Sequence, residues 1–325
     1  MLQHKDLKID SIRGIVFDFP EVDLQDDGFR SVDPVFREEI DNIFKVLQQC
    51  YHKGDGRIFP AYEMIRTSFH DVDQTGFMKK WNGLVNYRVL FKNPDLIPVM
   101  TRTLLWVVVI VLATVLISLP VAQVLHSKFP GRKLVRYAII VPWAASIVMT
   151  ATTWRWILDS FYGILNTLLL DLHIIHDPID WLGNTTQSFI WLMVVAVFVS
   201  VPFTAYVILA GLTTVPEDIL EAATVDGATG FQRYRTIIFP LLRPALLVST
   251  VINLINVFNS FPIIWIITAG GPGYATDTTT TLAYKLSFRD QNIGASASMA
   301  TINFAIILVF IMIFLKVSKW REASE

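Results

Sequence analysis

Residues 104–124 read LLWVVVIVLATVLISLPVAQV, a run of 21 residues without a charged side chain. An α-helix needs about 20 mostly apolar residues to cross the hydrocarbon core of a bilayer. This run therefore predicts a membrane-spanning helix, and four similar runs follow it. The five predicted spans are Leu104–Val124, Ala138–Leu158, Phe189–Leu212, Ala245–Thr268 and Ser296–Val317.

The composition of the whole chain agrees with this interpretation. Of its 325 residues, 53% are hydrophobic and only 17% are charged, and the mean hydropathy is +0.49. Soluble domains carry about 25% charged residues, so this chain has too few charges for an ordinary soluble globule. Acidic and basic residues nearly balance, 28 against 27, which excludes a global basic field for nucleic acid.

Metal and disulfide chemistry find little support in the sequence. Cys50 is the single cysteine, so an intrachain disulfide is excluded, and no Cys/His cluster has the usual metal-ligand spacing. His173 and His176 lie three residues apart without a third ligand nearby. We therefore expect neither a metal site nor catalytic residues.

Charged residues concentrate in the first third of the chain. Residues 1–103 hold 14 Lys/Arg and 16 Asp/Glu, more than half of all the charges. We expect a polar N-terminal region of uncertain fold over residues 1–68, with an amphipathic helix over Phe36–Tyr51, and a transmembrane domain over residues 69–325. The predicted fold class is an all-α membrane protein.

The Lys/Arg content of the loops predicts the orientation. The first loop carries Lys128, Arg132, Lys133 and Arg136, whereas the second, over residues 159–188, carries four aspartates and no Lys or Arg. The third loop again carries arginines. Loops one and three and the C-terminus are therefore expected in the cytoplasm, and loops two and four outside.

The third loop, residues 213–244, shows an unusually ordered pattern. Thr214 and Glu217 have capping-box spacing for a short helix that ends near Thr224, and Gly227 supplies a stop. A second short helix is predicted from Thr229 to a break at Pro240. It places Phe231 and Tyr234 on one face, which suits contact with the cleft of a soluble partner.

This loop resembles that of a known family. Glu221-Ala222-Ala223, followed by Asp226-Gly227-Ala228 and Pro240-Leu241-Leu242-Arg243-Pro244, looks like the EAA loop of permease subunits in ATP-binding-cassette (ABC) importers, in the carbohydrate branch related to the maltose permease subunits. Further segments of the chain are similar to that branch. They are Asn86-Tyr87 with Phe91 and Thr103, Thr268–Gly273, and Gly294–Ser298.

The resemblance implies a fold and a set of partners. The five spans would form the type I ABC importer permease core, in a prokaryotic plasma membrane, as half of the translocation pathway for a sugar. A second homologous permease subunit would complete a heterodimer, an extracytoplasmic solute-binding protein would deliver the sugar, and two cytoplasmic ATPase subunits would grip the EAA loops. The chain lacks a Gly-x-x-x-x-Gly-Lys-Ser/Thr loop, so it would bind no cofactor, and ATP would be hydrolysed by those partners. Members of this branch usually have another span before the Asn-Tyr segment, where this chain is polar.

The resemblance also assigns roles within the EAA loop. Glu221 would be the charged contact to the ATPase, small side chains would permit close approach, and Gly227 would make the turn. The alternative is that Glu221 only completes a solvated helix face. The coupling residues are Glu221, Ala222, Ala223, Asp226, Gly227, Phe231, Arg233 and Tyr234.

Candidate sugar contacts come from polar and aromatic side chains within the predicted spans. Three asparagines in the fourth span lie roughly on one helical face, with a drift of about 60° at each step of three residues, and a proline is expected to break the third span near its middle. The alternative for the asparagines is hydrogen bonding between helices. The candidates are Asn253, Asn256, Asn259, Phe258, Ser200 and Phe203.

Three other functions remain as alternatives. A permease for glycerol phosphate would need cations in its cavity, but Arg155 is the one arginine within the five spans. An ion-driven secondary transporter would show buried ionisable relays and more spans. A membrane enzyme would need paired carboxylates or a His/Ser set, and no convincing set is present.

Overall fold

The computed structural model describes residues 59–322 of the chain. The amphipathic helix expected over residues 36–51, and most of the polar region 1–68, lie outside the described residues. The part of that region that is described, Phe59–Ser68, is the helix α1.

A β-hairpin follows α1 and departs from the all-helical expectation. Strands β1 (His70–Val72) and β2 (Met78–Trp81) pair antiparallel. Asp73 makes the turn, because its Oδ1 accepts the backbone N–H groups of Thr75 and Phe77 at 2.9 and 3.1 Å. The short helix α2 (Val85–Phe91) then leads to the first long helix.

Three of the five predicted spans lie on continuous helices that are long and apolar enough to cross a membrane. The first of them has 31 residues and is about 46 Å long at 1.5 Å per residue. The helices are α3 (Leu96–His126), α7 (Thr185–Thr213) and α14 (Ile293–Glu322).

The other two predicted spans are interrupted, so the count of five is not confirmed. The second span is divided into α4 (Arg132–Ala144) and α5 (Ile147–Ile157) by an extended backbone at residues 145–146. The fourth is divided into α11 (Arg243–Phe258) and α12 (Phe261–Ile267). The described residues hold three spanning helices, or four if Gly230–Leu241 and Arg243–Phe258, bent by 65°, count as one.

The predicted break in the third span is not found. Helix α7 continues through Pro202, although proline has no N–H to donate to the preceding turn. Helix α3 packs against α7 at this level, since the Ser118 hydroxyl on α3 donates to the Val201 carbonyl at 3.2 Å.

The remaining elements are short and join the long helices. Helix α6 lies between α5 and α7, a compact segment follows α7, and α13 precedes α14. They are α6 (Ile164–Asp171), α8 (Glu217–Val225), α9 (Gly230–Arg233), a π-turn over Tyr234–Ile238, α10 (Phe239–Leu241) and α13 (Thr279–Phe288).

Contacts of the buried Trp106 define the packing directions in the bundle. The Trp106 ring lies 5.7 Å from that of Phe189, and Ser118 bonds Val201, so α3 and α7 run parallel. The Trp106 Nε1 donates to the Val257 carbonyl at 3.1 Å, whereas the end of α3 packs on Leu242. Helix α11 is therefore antiparallel to α3.

These directions separate two ends of the bundle. We call the end at which α3 and α7 begin the upper end, and the end at which they finish the lower end. Loops two and four lie at the upper end, as Arg102 near the start of α3 donates to the Tyr274 carbonyl. Helix α14 also begins at the upper end, where Met299 packs with Leu90 and Leu96. Loops one and three and the end of α14 lie at the lower end.

Candidate functional site

The lower end carries the segment between α7 and α11, which we call the coupling segment (residues 214–242). Its first helix, α8, begins at Glu217 after Pro216, without a side-chain cap. The predicted capping box is wrong, because Thr214 still belongs to the last turn of α7. Its hydroxyl donates to the Gly211 carbonyl at 2.8 Å and faces away from α8.

Helix α8 ends at Val225, and Gly227 supplies the stop after it, as predicted. The N–H of Gly227 bonds the Thr224 carbonyl at 3.1 Å, and the N–H of Ala228 bonds the Ala223 carbonyl at 2.9 Å. This pair of bonds is the Schellman motif, which needs a left-handed residue after the helix. Gly227 has φ +78°.

Substitution of Gly227 by alanine tests this turn. A Cβ there would meet no atom within 4 Å, so the expected cost is only the left-handed backbone, about 1–2 kcal/mol. Gly230→Ala is the matched control, since Gly230 is equally open and begins a helix. Thermal unfolding should show Gly227→Ala destabilised and Gly230→Ala unchanged or slightly stabilised. Equal behaviour of the two variants would contradict the assignment.

The second helix of the coupling segment begins at Thr229, as predicted. The Thr229 hydroxyl accepts the N–H of Gln232 at 3.3 Å, and Gln232 Oε1 accepts the N–H of Thr229 at 2.8 Å. The predicted break at Pro240 is displaced to Leu242, after a π-turn over Tyr234–Ile238 whose N–H groups bond carbonyls five residues earlier.

The two short helices of the coupling segment are tied to each other and to the bundle. The Arg233 guanidinium donates to the Thr224 hydroxyl at 2.7 Å, across the turn between the helices. Leu242 is fully buried against Leu125, Leu209 and other side chains at the lower end of the bundle. A force applied to the coupling segment would therefore reach α7 and α11.

The predicted coupling residues divide by exposure. Glu221, Ala222 and Asp226 are exposed, and Phe231 is 73% exposed. Ala223 is buried, whereas Arg233 and Tyr234 are half-buried. Phe231 is thus the most exposed aromatic side chain of the coupling segment, and Phe239 follows at 42%.

The predicted sugar contacts do not share one environment. Asn253 points into the bundle and is 3% exposed, and its Nδ2 has no partner among residues 59–322. Asn256 and Asn259 are exposed, and Asn259 donates to the Ile255 carbonyl at 2.9 Å. The helical repeat accounts for the difference. Because 3.6 residues make one turn, asparagines spaced by three residues point in successively different directions around α11.

The other candidates lie near or within the core. Phe258 is 3% exposed and belongs to the core around Trp106. Ser200 is half-buried, and its hydroxyl bonds the Ala196 carbonyl at 2.8 Å. Phe203 stacks on Trp143, with ring centroids 5.9 Å apart. Asn256, Asn259 and part of Phe203 therefore remain accessible for a ligand.

A buried ion pair at the upper end was not foreseen from the sequence. Lys285 Nζ lies 2.6 Å from Asp277 Oδ2, with side-chain exposures of 7% and 0%. Burial raises the pKa of Asp277, whereas the hydrogen bond from Lys285 lowers it. The Tyr274 ring lies 4.6 Å from the same ammonium. The sequence feature that could have predicted this ion pair is an Asp and a Lys eight residues apart, after a Gly-Gly-Pro turn.

Gly270 fits this ion pair because it has no side chain. Its φ is +82°, and a Cβ there would overlap the Asp277 carboxylate. The turn is closed by the Thr276 N–H, which bonds the Gly270 carbonyl at 3.2 Å, and by the Thr276 hydroxyl, which bonds the Gly271 carbonyl at 2.8 Å. The upper end is thus a hydrogen-bonded structure that connects α12, α13 and the start of α3.

Known proteins share both the sequence and the fold. The family described as "binding-protein-dependent transport system inner membrane component" matches residues 114–321. A probable ABC transporter permease protein of Brucella suis is 39% identical over 82% of this chain and 92% of its own length. The trehalose/maltose transport system permease protein of Thermococcus litoralis is 34% identical over 64% of this chain and 69% of its own.

A solved structure has the same fold at low sequence identity. A chain of a bacterial ABC transporter involved in the import of the acidic polysaccharide alginate superimposes with a TM-score of 0.70 at 21% identity. The alignment covers 88% of this chain and 99% of that one.

Proposed function

Because the chain belongs to the family of binding-protein-dependent transport system inner membrane components, we propose that it forms half of the translocation pathway of a sugar importer. Proteins of this family are membrane-embedded transport components and not enzymes. On this proposal the lower end of the bundle faces the cytoplasm and the upper end faces outward, across a prokaryotic plasma membrane. The C-terminus is then cytoplasmic.

The coupling segment is the observation that carries the proposal. It is a rigid pair of short helices at the lower end, and it joins two bundle helices while presenting Glu221 and the exposed Phe231. Two cytoplasmic ATPase subunits would hold this segment and its counterpart on a second, homologous permease subunit. ATP hydrolysis on those ATPases would move the segments and reorient the cavity between the two permeases.

Relatives and the chemistry of α11 support a sugar as the solute. Curated relatives include permeases named for trehalose/maltose and for diacetylchitobiose uptake. Accessible amides such as those of Asn256 and Asn259 can both donate to and accept from sugar hydroxyls. An extracytoplasmic solute-binding protein would deliver the sugar to the upper end.

A glycerol phosphate permease is the second candidate in the same class. Relatives at 28–29% identity are named sn-glycerol-3-phosphate transport system permease proteins. A phosphate dianion calls for cations in the cavity, yet the Arg155 guanidinium donates to the Ile266 carbonyl at 3.2 Å at the upper end. This arrangement favours a neutral solute.

Reconstitution tests the proposed function. The chain would be co-purified with its second permease, its ATPases and the solute-binding protein, and ATPase activity would be measured with a panel of sugars and with glycerol phosphate. We expect stimulation by at least one sugar. Stimulation by glycerol phosphate alone would favour the second candidate, and an assembly without an ATPase would contradict both.

Substitution of Asn256 by leucine probes the sugar contact. Loss of hydrogen bonds to the sugar should reduce sugar-stimulated ATPase activity on the order of tenfold, because each lost bond costs about 1–2 kcal/mol. Val248→Ala, at an exposed apolar position of the same helix, is the control. If Asn256→Leu instead loses the second permease on co-purification, Asn256 contacts that subunit and not the sugar.

A further inference from the structure

Helix α2 at the upper end packs one face on the bundle and leaves an apolar face uncovered. Its inner face holds Asn86 and Leu90, which are 8% and 1% exposed. A surface helix in water carries polar residues on its outer face, whereas the outer face of α2 is largely apolar. We call residues 77–98, which comprise β2, α2 and the start of α3, the hairpin–helix segment. Its exposed apolar side chains are Phe77, Leu84, Val85, Val89, Phe91 and Ile97.

Contacts on the inner face fix the orientation of α2. The Asn86 Nδ2 donates to the Ser68 carbonyl at 3.0 Å and to the His70 carbonyl at 2.8 Å. Leu90 packs in the same buried cluster as Met299 of α14. The apolar outer face is therefore held outward by the packing of the inner face, and a ligand of this face would meet a preorganised surface.

Four exposed cations lie among these apolar side chains. They are Lys79, Lys80, Arg88 and Lys92, and the segment contains one carboxylate, Asp95. None of the four cations forms an ion pair with a carboxylate of residues 59–322. Arg88 and Lys92 are one helical turn apart on α2. Long basic side chains can lay their apolar stems along such a surface while their charges reach a polar layer.

The hairpin–helix segment continues into the apolar surface of α3. Ile97, in the first turn of α3, is 75% exposed, and an exposed apolar belt follows on the same helix. The belt comprises Leu104, Leu105, Val108, Val109 and Leu112. Ile97 precedes Leu104 by seven residues, a rise of about 10 Å. Because α3 is long and apolar enough to cross a membrane, the segment lies near the headgroup layer that flanks the hydrocarbon core.

Charge distinguishes the hairpin–helix segment from the other large loop at the upper end. Residues 158–184 contain four aspartates and neither lysine nor arginine. An anionic headgroup is repelled by that loop and attracted by the hairpin–helix segment, where each nearby cation favours an anionic lipid about fivefold. The upper end therefore offers one surface, and not its whole rim, to anionic lipids.

We propose that the hairpin–helix segment binds the headgroups of anionic phospholipids, with its cations on the phosphates and its apolar side chains among the upper parts of the acyl chains. Charge complementarity and continuity with the apolar belt of α3 carry this inference. The bound lipids would hold the starts of α3 and α14 at a fixed depth in the membrane. The inference goes beyond the proposed function, because it requires a membrane-embedded chain but no particular solute.

The test is photo-cross-linking of the complete assembly in phosphatidylcholine nanodiscs. The nanodiscs carry a trace of photoactivatable phosphatidylglycerol or of photoactivatable phosphatidylcholine, each with its reactive group next to the headgroup. Mass spectrometry then measures the ratio of labelling by the two probes in residues 77–98, with residues 158–184 as the internal control. We expect a ratio on the order of tenfold or more in the first peptide and no greater than one in the second. At about 0.5 M salt the ratio in the first peptide should fall, because salt screens exposed charges.

Variants test the role of the cations. The double variant Arg88→Gln/Lys92→Gln should lower the ratio in residues 77–98 on the order of tenfold, and its thermal unfolding should match that of the wild type, since both side chains are exposed. Lys133→Gln neutralises an exposed cation at the lower end and should leave the ratio unchanged. An unchanged ratio in Arg88→Gln/Lys92→Gln would overturn the proposal.

Three further results would also overturn it. Equal labelling of residues 77–98 by the two probes would show that the segment does not recognise an anionic headgroup. No labelling by either probe would show that it faces water or a protein. Loss of the preference on addition of inorganic phosphate at constant ionic strength would assign the cations to a soluble anion. Each of these results is independent of whether a sugar stimulates the ATPase, so this inference and the proposed function fail separately.

Discussion

Replacement of Asp277 by alanine is expected to destabilise the protein by about 3–5 kcal/mol, the range observed when one partner of a buried ion pair is removed. The change would leave the Lys285 ammonium, 7% exposed, with the Tyr274 ring but without its carboxylate. Burial of an uncompensated charge costs far more than the loss of a surface contact. The unfolding temperature in detergent should fall sharply, and the yield of folded protein should fall with it.

Two controls identify the cause of this loss. Asp290→Ala removes the partner of Arg289 from an ion pair whose side chains are 53% and 39% exposed. Exposed pairs contribute about 0–1 kcal/mol, so this variant should be nearly neutral. The double variant Asp277→Leu/Lys285→Met removes both charges and should recover part of the stability. If Asp277→Ala behaves like Asp290→Ala, the upper end does not depend on the buried pair.

Reversal of the charge at Glu221 is expected to abolish sugar uptake while the protein remains folded in the membrane. Glu221 is exposed on α8, so its substitution should change stability by no more than about 0.5 kcal/mol. At an interface with a basic group of the ATPase, however, a lysine at position 221 would place two like charges next to each other, which costs several kcal/mol. We therefore expect sugar uptake to fall on the order of a hundredfold or more. Uptake, membrane level and ATPase co-purification would be measured on the same preparations of Glu221→Lys.

The matched control reverses another exposed charge at the lower end. Lys133→Glu lies on α4, outside the coupling segment, and should leave uptake close to wild type. Glu221→Gln keeps the shape but removes the charge, and it should fall between wild type and Glu221→Lys. Normal uptake by Glu221→Lys would refute the assignment of Glu221 to the ATPase contact.

On the proposed function, the two ends of the bundle would bind different partners, and the helices between them would connect those two sites. Helices α3 and α7 run parallel and in contact from one end to the other, with Trp106 on Phe189 near the top and Ser118 on Val201 further down. A conformational change that links the two ends would therefore have to move these packed helices against α11, since packed cores move between discrete arrangements. Trp106 links all three, because it also bonds the Val257 carbonyl.

Local chemistry was predicted well where it depends on neighbouring residues. The stop at Gly227 and the start at Thr229 follow from the left-handed preference of glycine and from the hydroxyl cap of threonine, both of which act within four residues. The capping box at Thr214 failed although its spacing was right. Helix α7 extends to Thr213, so the Thr214 hydroxyl bonds the carbonyl behind it and not the N–H groups ahead.

Features that depend on distant contacts could not be predicted in the same way. The fourth predicted span reads as one apolar run, yet it breaks at Asn259 and Ser260, where the Trp106 Nε1 bonds the Val257 carbonyl and the Ser260 hydroxyl. That donor comes from a helix about 150 residues earlier in the chain. Likewise, Asn253 is buried and Asn256 is exposed because the two sides of α11 face different neighbours.

The sequence by itself determined the membrane class of this protein, its family and the position of the coupling segment, because hydrophobic runs, charge bias and turn residues act through composition and short spacing. Only the tertiary structure decided where the spans break, which asparagine is accessible, and that Asp277 and Lys285 form a buried pair. These outcomes depend on burial and on partners distant in the chain, which no local pattern encodes.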